Sequence, residues 1–205
     1  MRKIETKEEI KKRSRKNQII LGIILVAVMF FSVLGYGFQT QGDDNFSGNE
    51  NKVVYNGLEF IKSGSEYWSI SFENFKFTFK NNPNEVEEIV SEIKPLNNYV
   101  GKPLYIYSEN KEAEYEIYRN LDPIILRRQY ACLNGENVSV AEDFDLNNCD
   151  AEWPIKTCND NFIIVKESNI SEIIQENNCI FINAKKEDLI KVTDEFLFKI
   201  LGIRQ

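Results

Sequence analysis

Twenty consecutive residues without a charge, 19–38 (IILGIILVAVMFFSVLGYGF), constrain this chain more than any other feature. An α-helix rises about 1.5 Å per residue, so a helix of this length measures about 30 Å and matches the hydrocarbon core of a bilayer. Elsewhere the chain has no more than a handful of consecutive apolar residues. The segment therefore predicts a single transmembrane helix.

The charges on either side of this segment predict its orientation. Residues 1–18 contain eight bases and three acids, whereas residues 39–50 contain three acids and no base. Lysine and arginine stay on the cytoplasmic side, which predicts a basic cytoplasmic leader (1–18), a flexible polar tether (39–50) and an external domain (51–205). The alternative is a cleaved signal peptide. Its apolar core would normally be about 7–15 residues long, and residues 35–37 (GYG) match a small-x-small cleavage site poorly.

Net charge limits the partners of the external part. The whole chain carries −7, and residues 19–205, with 17 bases and 29 acids, carry −12. Such a surface repels phosphate backbones, so nucleic acid is not an expected partner. The bilayer is one expected partner and an envelope protein is a second. The basic leader is read mainly as a topology signal, although it would also be drawn to anionic lipid.

Hairpin signals open the external domain. Asn56-Gly57 lies between two short apolar runs, which is the strongest local signal for a two-residue hairpin. After a second turn at residues 63–65, apolar and polar residues alternate along 67–72 and again along 75–79. A period of two predicts half-buried strands whose aromatic residues form one side of a core. These segments together predict an antiparallel β-meander.

Helical and extended patterns alternate after residue 80. Asn82 and Pro83 are typical of a helix start and Pro95 of a helix end, so a helix is predicted between them. The remaining predicted elements are strands at 103–107, 124–132, 162–166 and 179–183 and helices at 109–121, 170–175 and 186–201. A meander followed by alternating strands and helices predicts a single α+β domain with a mixed α/β C-terminal part.

The predicted last helix, 186–201, has a broad apolar stripe, which predicts that it docks on the sheet. Phe196 lies in the stripe and is predicted to be buried. Asp188, Lys191 and Glu195 are predicted to face solvent.

All four cysteines, Cys132, Cys149, Cys158 and Cys179, lie in the external part. An even number without a C-x-x-C pair, in a chain without histidine, favours two disulfides over a metal site. If the strands that start near residues 162 and 179 are parallel neighbours, Cys158 lies near Cys179 and leaves Cys132 for Cys149. The nested pairing of Cys149 with Cys158, inside Cys132–Cys179, remains open.

The search for catalytic and cofactor motifs finds none. The absence of histidine excludes the ordinary serine and cysteine triads and histidine-bound zinc, and the sequence has no glycine-rich phosphate loop. Carboxylate groupings such as Asp143/Asp145 or Glu112/Glu114/Glu116 are common in acidic proteins and do not by themselves indicate a hydrolase. The prediction is therefore a protein that is not an enzyme and has no cofactor.

Three weaker signals remain. Residues 143–147 (DFDLN) copy the first oxygen ligands of a calcium loop, but Asn148 and Pro154 replace its glycine and its glutamate, so an acidic solvated loop is favoured. Arg127-Arg128 in an apolar segment favours an ion pair with a carboxylate such as Asp122 over an anion site. Candidate N-glycosylation sites are Asn45, Asn137 and Asn169.

Three C-terminal segments carry a resemblance to a known class of proteins. They are residues 154–161 (PIKTCNDN), 178–182 (NCIFI) and 194–203 (DEFLFKILGI). In these segments the chain resembles uncharacterised single-span membrane proteins of archaea. The resemblance implies the single-pass topology and a cysteine-containing external domain, and it implies no activity and no site residues.

Together these features predict a single-pass, membrane-anchored extracytoplasmic protein that acts as a binding or structural component of the cell envelope. The alternative is a membrane-anchored enzyme that uses carboxylates for hydrolysis.

Overall fold

Four antiparallel strands form the first sheet of the domain. The computed structural model describes residues 51–72, 74–134 and 149–204, all within one compact unit spanning 49–205. The strands are β1 (Lys52–Tyr55), β2 (Leu58–Ser63), β3 (Tyr67–Phe72) and β4 (Phe75–Phe79), paired in chain order. Asn56 and Gly57 both have positive φ, as a two-residue hairpin turn requires. The predicted meander is confirmed.

Cross-strand pairs place most aromatic residues of this sheet on one face. Trp68 pairs with Phe79 and Ile70 with Phe77, and all four side chains are buried. Phe60 of β2 joins the same face and contacts the Phe79 ring, with 6.3 Å between the ring centroids. The alternation read from the sequence therefore produces one wall of the core.

A five-stranded mixed sheet follows. Its order is β10-β11-β9-β5-β6, in which β6, β5, β9 and β11 are parallel and β10 runs antiparallel to β11. These strands are β5 (Pro103–Ser108), β6 (Arg127–Tyr130), β9 (Phe162–Glu167), β10 (Glu172–Glu176) and β11 (Cys179–Ala184). Two short strands, β7 (Cys132–Leu133) and β8 (Ile155–Lys156), form a separate parallel pair.

Two helices lie between the sheets: α1 (Lys111–Leu121) and α2 (Leu189–Ile200). Asn110 is the N-cap of α1, and its side chain accepts hydrogen bonds from the backbone N–H groups of Glu112 and Ala113. It contacts β4 of the first sheet and β5 of the second, while α2 contacts β10 and β11. Phe198 of α2 reaches the first sheet, where its ring lies 4.8 Å from that of Phe79.

The central strands of the mixed sheet, β5, β9 and β11, are buried on both faces. Ile163 and Val165 of β9 join the main core with the helices, whereas Phe162 and Ile164 face a second cluster on the outer side. The second cluster contains Cys158 and Cys179, and Cys149 and Trp153 pack against it. Burial on both faces explains why these strands read as continuous apolar runs instead of alternating patterns.

The helix predicted between Pro83 and Pro95 is wrong. The backbone groups of residues 83–95 bond to distant side chains instead of to each other. The carbonyls of Pro83 and Val86 accept from Arg204. The N–H of Ile89 donates to Glu195 at 3.3 Å. A helix would need these groups for its own i to i+4 bonds. Residues 83–95 therefore form an irregular segment held by α2 and the C-terminal residues.

The helix predicted at 170–175 is also wrong, because this segment contains β10. Asn177 adopts positive φ and allows a tight turn into β11, so the chain continues as a hairpin. Ile173 packs into the main core and Ile174 against the outer cluster, on opposite faces of the sheet. Two adjacent isoleucines fit a helix pattern and a two-sided strand equally well.

The α+β class is confirmed for the described part of the chain. In residues 51–72, 74–134 and 149–204 no helix is long and apolar enough to cross a membrane. The predicted leader, transmembrane helix and tether lie outside the described residues.

Phe196 supplies a test of the main core. Its side chain is fully buried and makes an edge contact with Tyr99, with 6.4 Å between the ring centroids. We expect Phe196→Ala to lower the free energy of unfolding by about 3–5 kcal/mol, measured by denaturant titration. Val90→Ala is the control, because Val90 is 95% exposed and should change stability by less than about 0.5 kcal/mol. Equal effects of the two changes would contradict this packing.

Candidate functional site

Asp194 occupies an unusual position between the helices and the first sheet. It lies in α2 with a side chain that is 0% exposed. Its Oδ2 accepts hydrogen bonds from the backbone N–H of Asn81 at 2.9 Å and from Asn81 Nδ2 at 2.8 Å. Its Oδ1 has no hydrogen-bond partner among the described residues. A charged carboxylate oxygen that is buried without a donor is costly, which favours the protonated form of Asp194.

Glu116 of α1 is the ionisable neighbour of Asp194 and is also buried. Its Oε1 accepts from the backbone N–H of Lys80 at 3.0 Å, and its Oε2 accepts from the Arg119 guanidinium. The Arg119 guanidinium compensates the negative charge of Glu116. Both carboxylate oxygens of Glu116 are therefore held by partners other than Asp194.

Protonation of Asp194 explains this geometry. Burial raises the pKa of Asp194 well above its ordinary value, the charge of Glu116 raises it further, and the hydrogen bonds from Asn81 oppose the shift. A protonated Asp194 is neutral, so its burial next to Glu116 costs less than the burial of a second charge would. Glu116 of α1 and Asp194 of α2 are thus neighbours at the contact between the two helices.

A pocket of about 340 Å³ adjoins the pair and is lined by Glu116, Tyr67, Lys80, Tyr115 and other residues. Asp194 does not line it. Arg119 stacks against the rings of both tyrosines, 4.4 Å from the Tyr67 centroid and 5.4 Å from the Tyr115 centroid. The pocket therefore has one buried carboxylate at its wall, and that carboxylate is already occupied by Lys80 and Arg119.

Arg204 and Glu195 form a second buried centre at the other side of α2. Both side chains are buried, and the guanidinium contacts the Glu195 carboxylate. Arg204 Nε also donates to the Tyr55 hydroxyl at 3.0 Å, and its remaining N–H groups donate to the carbonyls of Pro83 and Val86. Burial raises the pKa of Glu195, and Arg204 partly offsets this shift. Glu195, predicted to face solvent, is fully buried, whereas Lys191 is exposed and Asp188 half-buried.

An open cleft of about 780 Å³ lies beside this centre and is lined by Lys94, Lys199, Arg204, Glu92 and other residues. Lys94 lies at the rim of this cleft. The Nζ of Lys94 donates to the Asn177 carbonyl and to Asn178 Oδ1, each at 2.7 Å. The donors of Arg204 face the protein, so the guanidinium is part of the wall and has no group free for a ligand.

The cysteines form two disulfides, as expected. Cys132 pairs with Cys149 and Cys158 with Cys179, with Cα–Cα distances of 5.9 and 4.9 Å. Phe162 pairs with Cys179 in the parallel register of β9 and β11, so the two strands do start at one edge. This is the pairing that the parallel-strand argument favoured, and it is not the nested one.

The other predicted site residues are distributed as follows. Asn169 is exposed in the connection between β9 and β10, while Asn45, Asn137 and the calcium-like residues 143–147 lie outside the described residues. Among described residues no group of three or more acidic or cysteine side chains could hold a metal ion. Glu112 and Glu114 of α1 do not join the Asp194 pair: Glu112 is exposed, and Glu114 accepts from Lys111 and Tyr130.

Arg127 and Arg128 both lie on β6, an edge strand, and both are exposed. Arg128 pairs with Asp122 at 2.8 Å, as the sequence suggested, but the pair is at the surface and not in the core. Arg127 donates to Gln129 Oε1 at 3.0 Å and to the Tyr105 hydroxyl at 3.2 Å. Neither arginine faces inward, because the strand borders solvent.

Asp194, Glu116 and Arg204 were not identified from the sequence as a connected set. The available signal was Asp194-Glu195 within the apolar run of α2, where two adjacent acids cannot both avoid the core. Glu116 belongs to the grouping Glu112/Glu114/Glu116, and such groupings are common in acidic proteins.

Comparisons with known proteins identify no relative. The chain matches no family model, no curated protein and no solved structure. The function must therefore be inferred from the chain itself.

The raised pKa of Asp194 predicts that the stability of the domain depends on pH. Because the pKa of Asp194 is raised, its contribution is fully present below its unfolded value of about 3.9 and is lost as pH rises through the folded value. We expect Asp194→Asn to flatten the decline in melting temperature from acidic to mildly alkaline pH, leaving a smaller decline in the same direction from Glu195.

The control for this measurement is Glu187→Gln, at an exposed carboxylate just before α2. It should leave the pH profile unchanged. A profile of Asp194→Asn that superimposes on that of the unaltered protein would show that Asp194 is ionised in the folded state.

Proposed function

We propose that this chain is a single-pass, membrane-anchored extracytoplasmic protein that acts as a binding or structural component of the cell envelope. The observation that carries the proposal is the pair of disulfides on the face of the mixed sheet opposite the helices. Disulfides persist in oxidising compartments and are rare in the cytosol. The apolar run 19–38 and the basic leader support an anchor with the domain on the outer side.

The domain architecture favours binding over catalysis. Asp194, whose pKa is raised well above its ordinary value, has no exposed surface. Its neighbour Glu116 accepts hydrogen bonds from the backbone N–H of Lys80 and from Arg119. A substrate would have to displace these contacts before it could meet either carboxyl group. The pair therefore serves best as a link between α1, α2 and the end of β4.

A carboxylate-dependent hydrolase is the second candidate. The raised pKa of Asp194 and the pocket that reaches Glu116 favour it, since catalytic acids are found at such sites. A hydrolytic activity lost in Glu116→Gln, with an unchanged melting temperature, would place this candidate first.

Topology is the direct test of the proposal. We expect protease added to intact cells to degrade residues 51–205 and to leave the leader 1–18 protected and membrane-bound, because the bases of the leader stay inside. A cytoplasmic marker protein serves as the control for lysis. Protection of the domain would refute the outer location, and a mature chain lacking the leader would establish a cleaved signal peptide instead.

A further inference from the structure

We propose that Val100, Lys102, Leu126 and Arg127 form a patch that rests on the anionic lipid surface of the membrane that anchors the chain. This inference rests on the proposed anchor. We call these four residues the basic-apolar patch. Its surface combines apolar side chains, which enter the headgroup region, with cations that attract lipid phosphates.

Backbone hydrogen bonds bring the two parts of the patch together. The N–H of Gly101 donates to the Ile124 carbonyl at 2.9 Å, and the N–H of Leu126 donates to the Lys102 carbonyl at 2.9 Å. Pro103 and Arg127 are also partners in the parallel register of β5 and β6. The patch is thus built on the adjoining starts of two neighbouring strands, which hold it rigidly.

Both apolar side chains of the patch are exposed to solvent and do not contribute to the core. Leu126 is 67% and Val100 49% exposed, and neither belongs to the core clusters. Lys102 and Arg127 are exposed beside them. An apolar side chain flanked by cations is typical of protein surfaces that contact the membrane interface.

The two chain segments that carry the patch differ in charge from the rest of the domain. Residues 96–108 and 123–134 contain no acid, whereas residues 19–205 contain 29 acids against 17 bases. Nearby Arg128 is neutralised by Asp122, which leaves Lys102 and Arg127 as the attracting cations. The rest of an acidic domain is repelled by anionic lipid, so attraction at this patch would orient the domain.

The length of chain before the domain keeps the patch within reach of the bilayer. Twelve residues, 39–50, separate the predicted span from the described domain. Fully extended they reach about 40 Å, comparable to the diameter of a domain of this size. This length is enough for the domain to rest against the membrane, and anionic lipid would attract the surface with complementary charge.

The test uses the full chain in nanodiscs of phosphatidylcholine that carries brominated tails, alone or mixed equally with phosphatidylglycerol. Leu126→Trp adds a fluorophore in the patch, and its quenching is measured as the increase over that of the unaltered chain, which contains Trp68 and Trp153. Ile170→Trp is the matched control, because Ile170 is 64% exposed but lies between the acids Glu167 and Glu172. We expect lipid quenching at position 126 in the mixed nanodiscs, little at position 170, and loss of the difference at high salt.

Removal of the charges gives the expected magnitude. Lys102→Gln with Arg127→Gln should weaken the contact with anionic lipid about 30-fold, since each cation near the surface contributes about a factor of five. Hydrogen exchange of residues 99–102 and 124–127 in the unaltered chain is a second measurement, and should slow when phosphatidylglycerol is present.

The outcomes separate the two proposals. Washing membranes with alkaline carbonate releases proteins that are not inserted in the bilayer. If this wash releases the chain, the proposed membrane anchor is wrong, and the patch proposal, which rests on the anchor, is wrong as well. If the chain stays inserted but positions 126 and 170 are quenched equally, or hydrogen exchange is independent of lipid charge, the patch proposal alone is overturned.

Discussion

Reduction of both disulfides is expected to destabilise the domain by about 6 kcal/mol. The linked cysteines are 17 and 21 residues apart, and in the chain-entropy model each such loop contributes about 3 kcal/mol. Net stabilities of small domains are about 5–15 kcal/mol, so the melting temperature should fall strongly or the domain should unfold. Thermal unfolding with and without a phosphine reductant measures this.

Paired substitutions assign the effect to each bridge. Cys132→Ala with Cys149→Ala, and Cys158→Ala with Cys179→Ala, should each remove about half of the stabilisation. The chain with all four cysteines replaced is the control, because reductant should not change its stability further. Peptide mapping without reduction provides the check on connectivity: a peptide pair that links Cys149 to Cys158 would contradict the structure.

Replacement of Arg204 by methionine is expected to cost about 5 kcal/mol. The change leaves Glu195 buried without its cation and removes the donors from the carbonyls of Pro83 and Val86. Breaking a buried pair from one side costs about 3–5 kcal/mol, and unsatisfied carbonyls add to this. Because these contacts also hold residues 83–95, we expect this segment to lose its protection from hydrogen exchange.

Arg128→Met is the matched control. Its pair with Asp122 is about half exposed on each side, so the change should cost no more than about 1 kcal/mol. In the double variant of Arg204→Met with Glu195→Gln, part of the lost stability should return, because the stranded charge is gone. Equal costs for Arg204→Met and Arg128→Met would show that the buried contacts of Arg204 do not stabilise the domain.

The sequence predicted well those elements that depend on residues close together in the chain. Asn56-Gly57 suits the positive φ of a hairpin turn, and alternation along β3 and β4 requires one buried face whatever lies opposite. Asn110 and the apolar stripe of α1 specify that helix within about two residues of the predicted limits. The cysteine pairing followed once β9 and β11 were taken as parallel neighbours.

The incorrect predictions have a shared cause in contacts between distant residues. Residues 83–95 have helix-start and helix-end signals, but Arg204 and Glu195, more than 100 residues away, bond to the backbone groups that a helix would use. Ile173 and Ile174 belong to a strand because both faces of the mixed sheet are covered.

By itself the sequence determined the α+β class, the meander, the two disulfides and the charge contrast between the leader and the domain. Only the tertiary structure decided that Asp194 meets Glu116, that Arg204 meets Glu195, and that Lys102 lies beside Arg127. The physical reason is that turn, helix and strand preferences act over a few residues. The cost of a buried charge depends instead on which partners the fold brings to it.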